Sequence, residues 1–245
     1  MKRIAILTIF PEAFDSFLGG PVIQRAIQKN LVAIEIVDIR SFADGSYRHI
    51  DDSPYGGGAG MIMRCEPVIG ALKNTEKASS KKLFFSPAGK TYTQKMAHDL
   101  SREEDLILLC GHYEGMDARI EPYFDGSISL GDYILTGGEL PAMIVTDSIV
   151  RLLKGALRDA STEDESFENG LLEYPQYTHP LTFEGVSVPD VLTSGNHGLI
   201  AEWKRKESLR QTLLKRPDLL KKAELSKQDQ KLLEEIKEEI SDEGN

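Results

Sequence analysis

Three short apolar runs, each broken by a glycine-bearing loop, constrain this chain more than anything else in it. Leu83-Phe84-Phe85 runs into Ser86-Pro87-Ala88-Gly89. Leu106-Ile107-Leu108-Leu109-Cys110 runs into Gly111-His112-Tyr113-Glu114-Gly115. Ile128-Ser129-Leu130 runs into Gly131-Asp132-Tyr133-Ile134-Leu135-Thr136-Gly137-Gly138. Apolar runs of this length bounded by Gly and Pro are buried strands. Helix-like stretches separate them, so the strands should be parallel and the three loops should share one edge of the sheet. In open α/β sheets that edge binds small ligands. Glycine backbone can approach such a ligand closely, because no Cβ stands in the way.

The rest of the chain fits an α/β plan. Residues 3–10 and 31–39 read as strands, with helical spacing from Pro21 to Ile27 between them. Residues 41–63 form an irregular, glycine-rich loop. A helix is expected over 66–78. A longer one is expected over 139–154, with apolar Leu140, Met143, Ile144, Ile149, Leu152 and Leu153. From 155 to about 180 the periodicity fades and Ser, Thr, Asp, Glu and Asn collect. A linker that long invites a functional role. Charged helices follow at 197–214 and 227–240. The expected organisation is an α/β domain over 1–160, a linker over 161–180 and a small helical domain over 181–245.

Composition narrows the class. A 245-residue chain with 40% hydrophobic residues can bury a full core without staples. Two cysteines, Cys65 and Cys110, argue against a disulfide framework and suit a reducing compartment. No apolar stretch approaches membrane-spanning length. The opening Met1-Lys2-Arg3-Ile4-Ala5-Ile6-Leu7 runs into acidic, aromatic sequence and reads as a strand, not a signal peptide. A cytoplasmic location is the simplest expectation. The net charge of −10 speaks against a nucleic-acid partner when taken alone. Its distribution is uneven, however. Lys204, Arg205, Lys206, Arg210, Lys215, Arg216, Lys221 and Lys222 crowd one segment. That segment is either a solvated helix face or a strip for phosphates.

The motifs exclude several chemistries. Asp51-Asp52-Ser53-Pro54-Tyr55-Gly56-Gly57-Gly58-Ala59-Gly60-Met61 could clamp a phosphate or a nucleobase through backbone N–H groups, or be a surface loop. It is no Walker loop, and no dinucleotide fingerprint occurs elsewhere. His49, His98, His112, His179 and His197 form no metal-ligand pattern. There is no nucleophile elbow. Asp147 and Arg151, four apart on an expected helix, read as a helical ion pair. Glu163, Asp164 and Glu165 read as solvated linker carboxylates. Trp203, among basic residues, reads either as a packing anchor or as a stacking platform for a base.

Several long segments together resemble a known family. They are Ser53-Pro-Tyr-Gly-Gly-Gly-Ala-Gly-Met61, Cys110-Gly-His-Tyr-Glu-Gly-Met-Asp117 and Gly131-Asp-Tyr-Ile-Leu-Thr-Gly-Gly-Glu-Leu-Pro-Ala142. Leu171-Leu-Glu-Tyr-Pro-Gln-Tyr-Thr178 and Leu192-Thr-Ser-Gly-Asn-His197 complete the set. All five are similar to signature segments of the bacterial tRNA (guanine-N1)-methyltransferases, the TrmD type of the SPOUT class. The resemblance spans nearly the whole chain, in order. It implies a mostly parallel α/β domain with a deep trefoil knot, an exception to the usual rule. It also implies a small C-terminal all-α domain that binds tRNA, and a homodimer. The implied methyl donor is S-adenosylmethionine, and the acceptor is guanosine 37 of tRNA. By the same resemblance the donor is held by Ser86, Pro87, Gly111, Leu130, Gly131, Asp132, Tyr133, Ile134, Leu135, Gly137, Gly138 and Pro141. Magnesium assists some relatives, although the sequence offers no recognisable site for it.

The implied chemistry gives charged residues roles. Guanine N1 carries a proton and is a poor nucleophile until a carboxylate accepts it. Negative charge then grows on O6, where a cation stabilises it. By resemblance Arg151 is that cation and Glu114 holds the guanine edge. Many relatives have an aspartate before Ser-Phe as the base. Here Glu165 precedes Ser166-Phe167, so Glu165 is the expected base, with Asp164 in reserve. A base working in a protein pocket must meet a nucleotide extruded from its stack. Two rivals share the features: a methyltransferase acting on another RNA nucleotide, and an RNA-binding protein without catalysis.

Overall fold

The structure is a computed structural model that describes residues 1–45, 48–157 and 165–243. It divides into two compact units, Met1–Asp159 and Ala160–Asn245.

The first unit is built on five strands: β1 (Lys2–Thr8), β2 (Val32–Asp38), β3 (Lys81–Thr91), β4 (Asp105–Leu109) and β5 (Gly126–Ser129). The sheet order is β2-β1-β4-β3-β5, and every pairing is parallel. Parallel strands need crossovers, and helices provide most of them. These are α1 (Pro21–Gln28), α2 (Cys65–Thr75) and α3 (Gln94–Arg102), with α4 (Glu139–Val150) following β5. Pro21 opens α1, where its missing N–H costs nothing. The Thr93 hydroxyl caps α3 by accepting from the Met96 N–H.

Both faces of the sheet are covered. Ile4, Ile6, Leu106 and Leu108 pack against Ile23 and Ala26 of α1, Leu100 of α3 and Val145 and Ile149 of α4. Their strand neighbours Ala5, Leu7, Ile107 and Leu109 face the other way, onto Val68, Ala71 and Leu72 of α2. This alternation explains why β1 and β4 read as unbroken apolar runs: each second residue serves a different core.

Two features depart from the sequence reading. Ser86–Gly89 is not a loop at the end of a strand. β3 leaves its register after Phe85 and resumes at Lys90, and both residues pair with Ile128 of β5. The four residues between them form a bulge inside one strand. A Cβ on Gly89 would lie 2.6 Å from Ile128 backbone atoms, so the bulge folds tightly back on β5. In α4, the apolar residues expected at the core are partly outside. Pro141, Ala142, Val145, Ile149 and Val150 are buried, whereas Leu140 and Ile144 are 56% and 49% exposed. The helix is apolar on nearly every side, so periodicity could not select its buried face.

The second unit is mostly helical, with α5 (His197–Lys215) and α6 (Lys227–Glu243) enclosing Leu171, Leu209, Leu232, Leu233 and Ile236. Asn196 caps α5, its side-chain oxygen accepting from the Gly198 and Leu199 N–H groups. The unit is not purely α-helical. β6 (Thr182–Phe183) and β7 (Val186–Ser187) form an antiparallel hairpin. Glu184 and Gly185 link them with φ of 49° and 84°, a two-residue turn that suits the twist of a hairpin. Residues expected in the linker pack onto this unit. Leu171 is buried, the Leu172 N–H donates to the Thr212 hydroxyl, and the Ser208 hydroxyl donates to the Leu172 carbonyl. Among the described residues no helix is long and apolar enough to cross a membrane.

Candidate active site

The bulged middle of β3 and the carboxyl ends of β4 and β5 converge on a cavity of about 430 Å³. Of the residues expected to hold a donor, Ser86, Pro87, Gly111, Leu130, Gly131, Tyr133, Ile134, Leu135, Gly137, Gly138 and Pro141 line it. Asp132 does not line it and is exposed, within the tight turn closed by the Tyr133 N–H and the Gly131 carbonyl. Glu114 also lines the cavity.

Glycine at two positions allows the loops to touch. The Gly138 N–H donates to the Gly111 carbonyl at 2.8 Å, and a Cβ on Gly138 would stand 2.5 Å from the Cys110 Cα. On Gly137 a Cβ would stand 2.4 Å from Glu139 Oε2 and 2.6 Å from His112 Nδ1. The glycine-dense stretch is tied to the same place. The Glu114 N–H donates to the Met61 carbonyl, Met63 N–H to Gly115, and Asp117 N–H to Met63. Gly60 passes so close to Glu114 that a Cβ there would overlap its side chain. Tyr55 to Gly60 are exposed, as the surface-loop reading has it, while Met61 and Met63 tie the end of the stretch to the cavity loops.

Beneath the floor lies a polar cluster that sequence reasoning missed. Glu139, the first residue of α4, is buried and accepts from the Thr8 hydroxyl at 2.8 Å. That hydroxyl in turn accepts from the Phe10 N–H. The His112 ring packs edge-on to Phe10, with Nδ1 3.9 Å from Glu139 Oε2. This Nδ1 is buried without a hydrogen-bond partner among the described residues. Burial, with Glu139 nearby, pushes the Cys110 thiol well up, so Cys110 is an inert packing group. Arg119 grips Asp117 through two hydrogen bonds and holds its carboxyl far below the usual range. The His112 position was visible as part of a glycine loop; Thr8 and Glu139, 131 residues apart, carried no joint signal.

The other expected catalytic residues are placed separately. Arg151 ends α4, its N–H donating to the Asp147 carbonyl. Glu165 belongs to the second unit, where it lines a cavity of about 360 Å³ with Asn169, Tyr174, His197, Lys204 and Ser208. Asp164 and Glu163 lie outside the described residues. Among the described residues no group of three or more His, Cys, Asp or Glu is placed to hold a metal ion.

The first cavity therefore offers backbone groups, apolar walls from Leu130, Ile134, Leu135 and Pro141, and an orphaned buried imidazole nitrogen. Such a site suits a small ligand held largely by main chain. Known proteins resemble this chain along nearly its whole length. Residues 1–222 match the family described as tRNA (Guanine-1)-methyltransferase TrmD. A protein of Dictyoglomus turgidum named tRNA (guanine-N(1)-)-methyltransferase is 50% identical over 244 residues, covering 99% of this chain and 100% of its own. One of the same name from Geobacillus kaustophilus is 50% identical over 241 residues, covering 97% and 99%. Another, from Alkaliphilus oremlandii, is 50% identical over 244 residues, covering 96% and 98%. With the family matched over all of the sheet, the cavity loops and most of the second unit, the chain belongs to the TrmD family of tRNA (guanine-1)-methyltransferases.

Proposed function

We propose that this chain transfers a methyl group from S-adenosylmethionine to N1 of guanosine 37 in tRNA. The observation that carries the reading is the cavity at the carboxyl edge of the sheet, walled by the three loops that the family resemblance assigns to the donor. S-adenosylmethionine supplies an electrophilic methyl group already activated by its sulfonium. The residues present fit it. Main-chain groups of Gly111 and of Leu130 to Leu135 offer hydrogen bonds, and apolar walls suit an adenine ring.

The chain's own side chains have the acceptor to manage. Glu165 takes the N1 proton, Arg151 balances the charge that grows on O6, and Glu114 holds the guanine edge. Magnesium enters no step of this reading.

The wider organisation belongs to the same proposal: a catalytic domain over 1–160, a linker over 161–180 and a tRNA-binding domain over 181–245. The deep trefoil knot belongs to the same proposal and rests on the family resemblance; the parallel sheet order is compatible with it. A homodimer is supported by the exposed apolar side of α4, and a cytoplasmic site of action by the tRNA substrate. The test is methyl transfer from labelled S-adenosylmethionine to transcripts bearing G or A at position 37. Transfer to the G transcript alone is expected, with Glu165→Gln slowed about 10²–10⁴-fold and Asp164→Asn near wild type. Transfer to both transcripts, or to neither, refutes the assignment.

A further inference from the structure

Trp203 lies on α5 with its ring centroid 6.5 Å from that of Tyr174 and 6.3 Å from that of Tyr177. The Lys204 ammonium stands 4.5 Å above the Tyr174 ring. None of these aromatics joins the core of the second unit, which Leu171, Leu209, Leu232, Leu233 and Ile236 fill. Tyr174 and Trp203 are half-buried and Tyr177 is exposed. Tyr174 and Lys204 wall the 360 Å³ cavity that also holds Asn169 and Glu165. The volume is in the range of small-ligand sites.

The charges around it point away from a phosphate grip. Arg205 is paired with Asp229 at 2.7 Å, Lys206 with Glu235 and Glu239 at 2.9 and 2.8 Å, and Arg210 with Glu207 at 2.9 Å. Arg216 is paired with Asp218 at 2.8 Å. Lys204 instead lies over a ring. What this surface offers RNA is aromatic side chains and the Lys204 ammonium, the ingredients that hold an unstacked base.

We propose that Tyr174, Trp203, Tyr177 and Lys204 form a stacking site for an unpaired tRNA base that flanks the methyl acceptor. The site deepens the methyltransferase reading and rests on it. Extruding one base breaks the stacking of its neighbours, and an aromatic surface replaces what they lose. Glu165, the proton acceptor of that reading, lines the same cavity, so the base held here is close in sequence to the target guanosine.

Trp203 is the single tryptophan of the chain, so its emission reports on the site directly. The full-length protein is titrated with an anticodon stem-loop carrying G37, with the same RNA made abasic on either side of G37, and with a fully paired duplex. Saturable quenching by the stem-loop is expected, lost with one of the abasic RNAs and absent with the duplex. Tyr174→Ala should weaken stem-loop binding about tenfold and raise KM for tRNA while kcat holds; Tyr174→Phe should restore both. Tyr177→Ala and Lys204→Gln, nearer the surface, carry the test if Tyr174→Ala does not fold. Unchanged emission in a protein that methylates G37 overturns the stacking site and leaves the function standing. Equal quenching by both abasic RNAs overturns it as well. A protein that neither methylates nor quenches loses both readings.

Discussion

Gly138 and Gly111 sit together in the cavity proposed for the donor and should respond to the same substitution to different degrees. Gly138 has φ −85° and ψ −4°, a conformation open to any residue, so Gly138→Ala acts through contact alone. Its Cβ would meet the Cys110 Cα at 2.5 Å, the Gly111 nitrogen at 2.9 Å and the Cys110 carbonyl carbon at 3.1 Å. All three are backbone, and ordinary contact begins near 3.4 Å. The two loops must part by about 1 Å, which also breaks the 2.8 Å hydrogen bond from the Gly138 N–H to the Gly111 carbonyl. Overpacking of this kind costs about 1–3 kcal/mol and the hydrogen bond about 1 kcal/mol more. A displacement of that size at a binding wall lowers rates by about 10²-fold. In Gly111→Ala the nearest atoms are the Met116 Sδ at 3.3 Å and Cγ at 3.5 Å, the flexible end of a side chain that can turn aside. Calorimetric titration with S-adenosylmethionine, beside thermal melts, separates the two. Affinity should fall by about two orders of magnitude in Gly138→Ala and by less than about tenfold in Gly111→Ala. Equal losses, or wild-type affinity in Gly138→Ala, would refute the steric reasoning.

Asp229 gives a pH-dependent expectation. Hydrogen bonds from Arg205 hold its carboxyl down to about 2, from an ordinary 3.8. A depressed acid stabilises the fold above its ordinary pKa, and that stabilisation is lost as pH falls from about 4 through about 2. At 1.36 kcal/mol per unit, discounted because Arg205 is partly solvated, Asp229→Asn should cost about 1–2 kcal/mol at pH 7. Urea titrations followed by Trp203 emission should show the gap to wild type closing towards pH 2; a gap constant from pH 7 to 2 contradicts the linkage. Ile144→Glu, on the exposed side of α4, should turn a dimer into a monomer by light scattering, and an unchanged mass would free that surface of the role. Arg151→Ala should lower kcat about 10²–10³-fold with S-adenosylmethionine affinity unchanged; a matching loss of donor affinity would place Arg151 with the donor instead.

The sheet was legible because β1 and β4 are buried on both faces, which leaves their sequences apolar without interruption. The ligand edge was legible because glycines cluster where loops must touch. What the sequence concealed was set by distant partners. The excursion at Ser86 to Gly89 looks like the end of a strand until Ile128 is seen pairing on both sides of it. Leu140 and Ile144 carry the same hydrophobicity as Ile149, and only the surroundings of α4 separate them. Asp132 shares a motif with its lining neighbours but does not line the cavity. The basic character of α5 was plain, whereas its neutralisation depended on α6, whose acidic residues lie more than twenty positions away.

That neutralisation bears on how such a protein would move through a cell full of RNA. Non-specific affinity for RNA grows with the number of cations released to phosphates. With Arg205, Lys206 and Arg210 already paired with carboxylates, α5 offers fewer than its sequence suggests. Bulk RNA then holds the protein only briefly, and each wrong encounter ends quickly. Residence time is left to shape and to bases, so the acidic residues facing α5 act as a brake on trapping by bulk RNA.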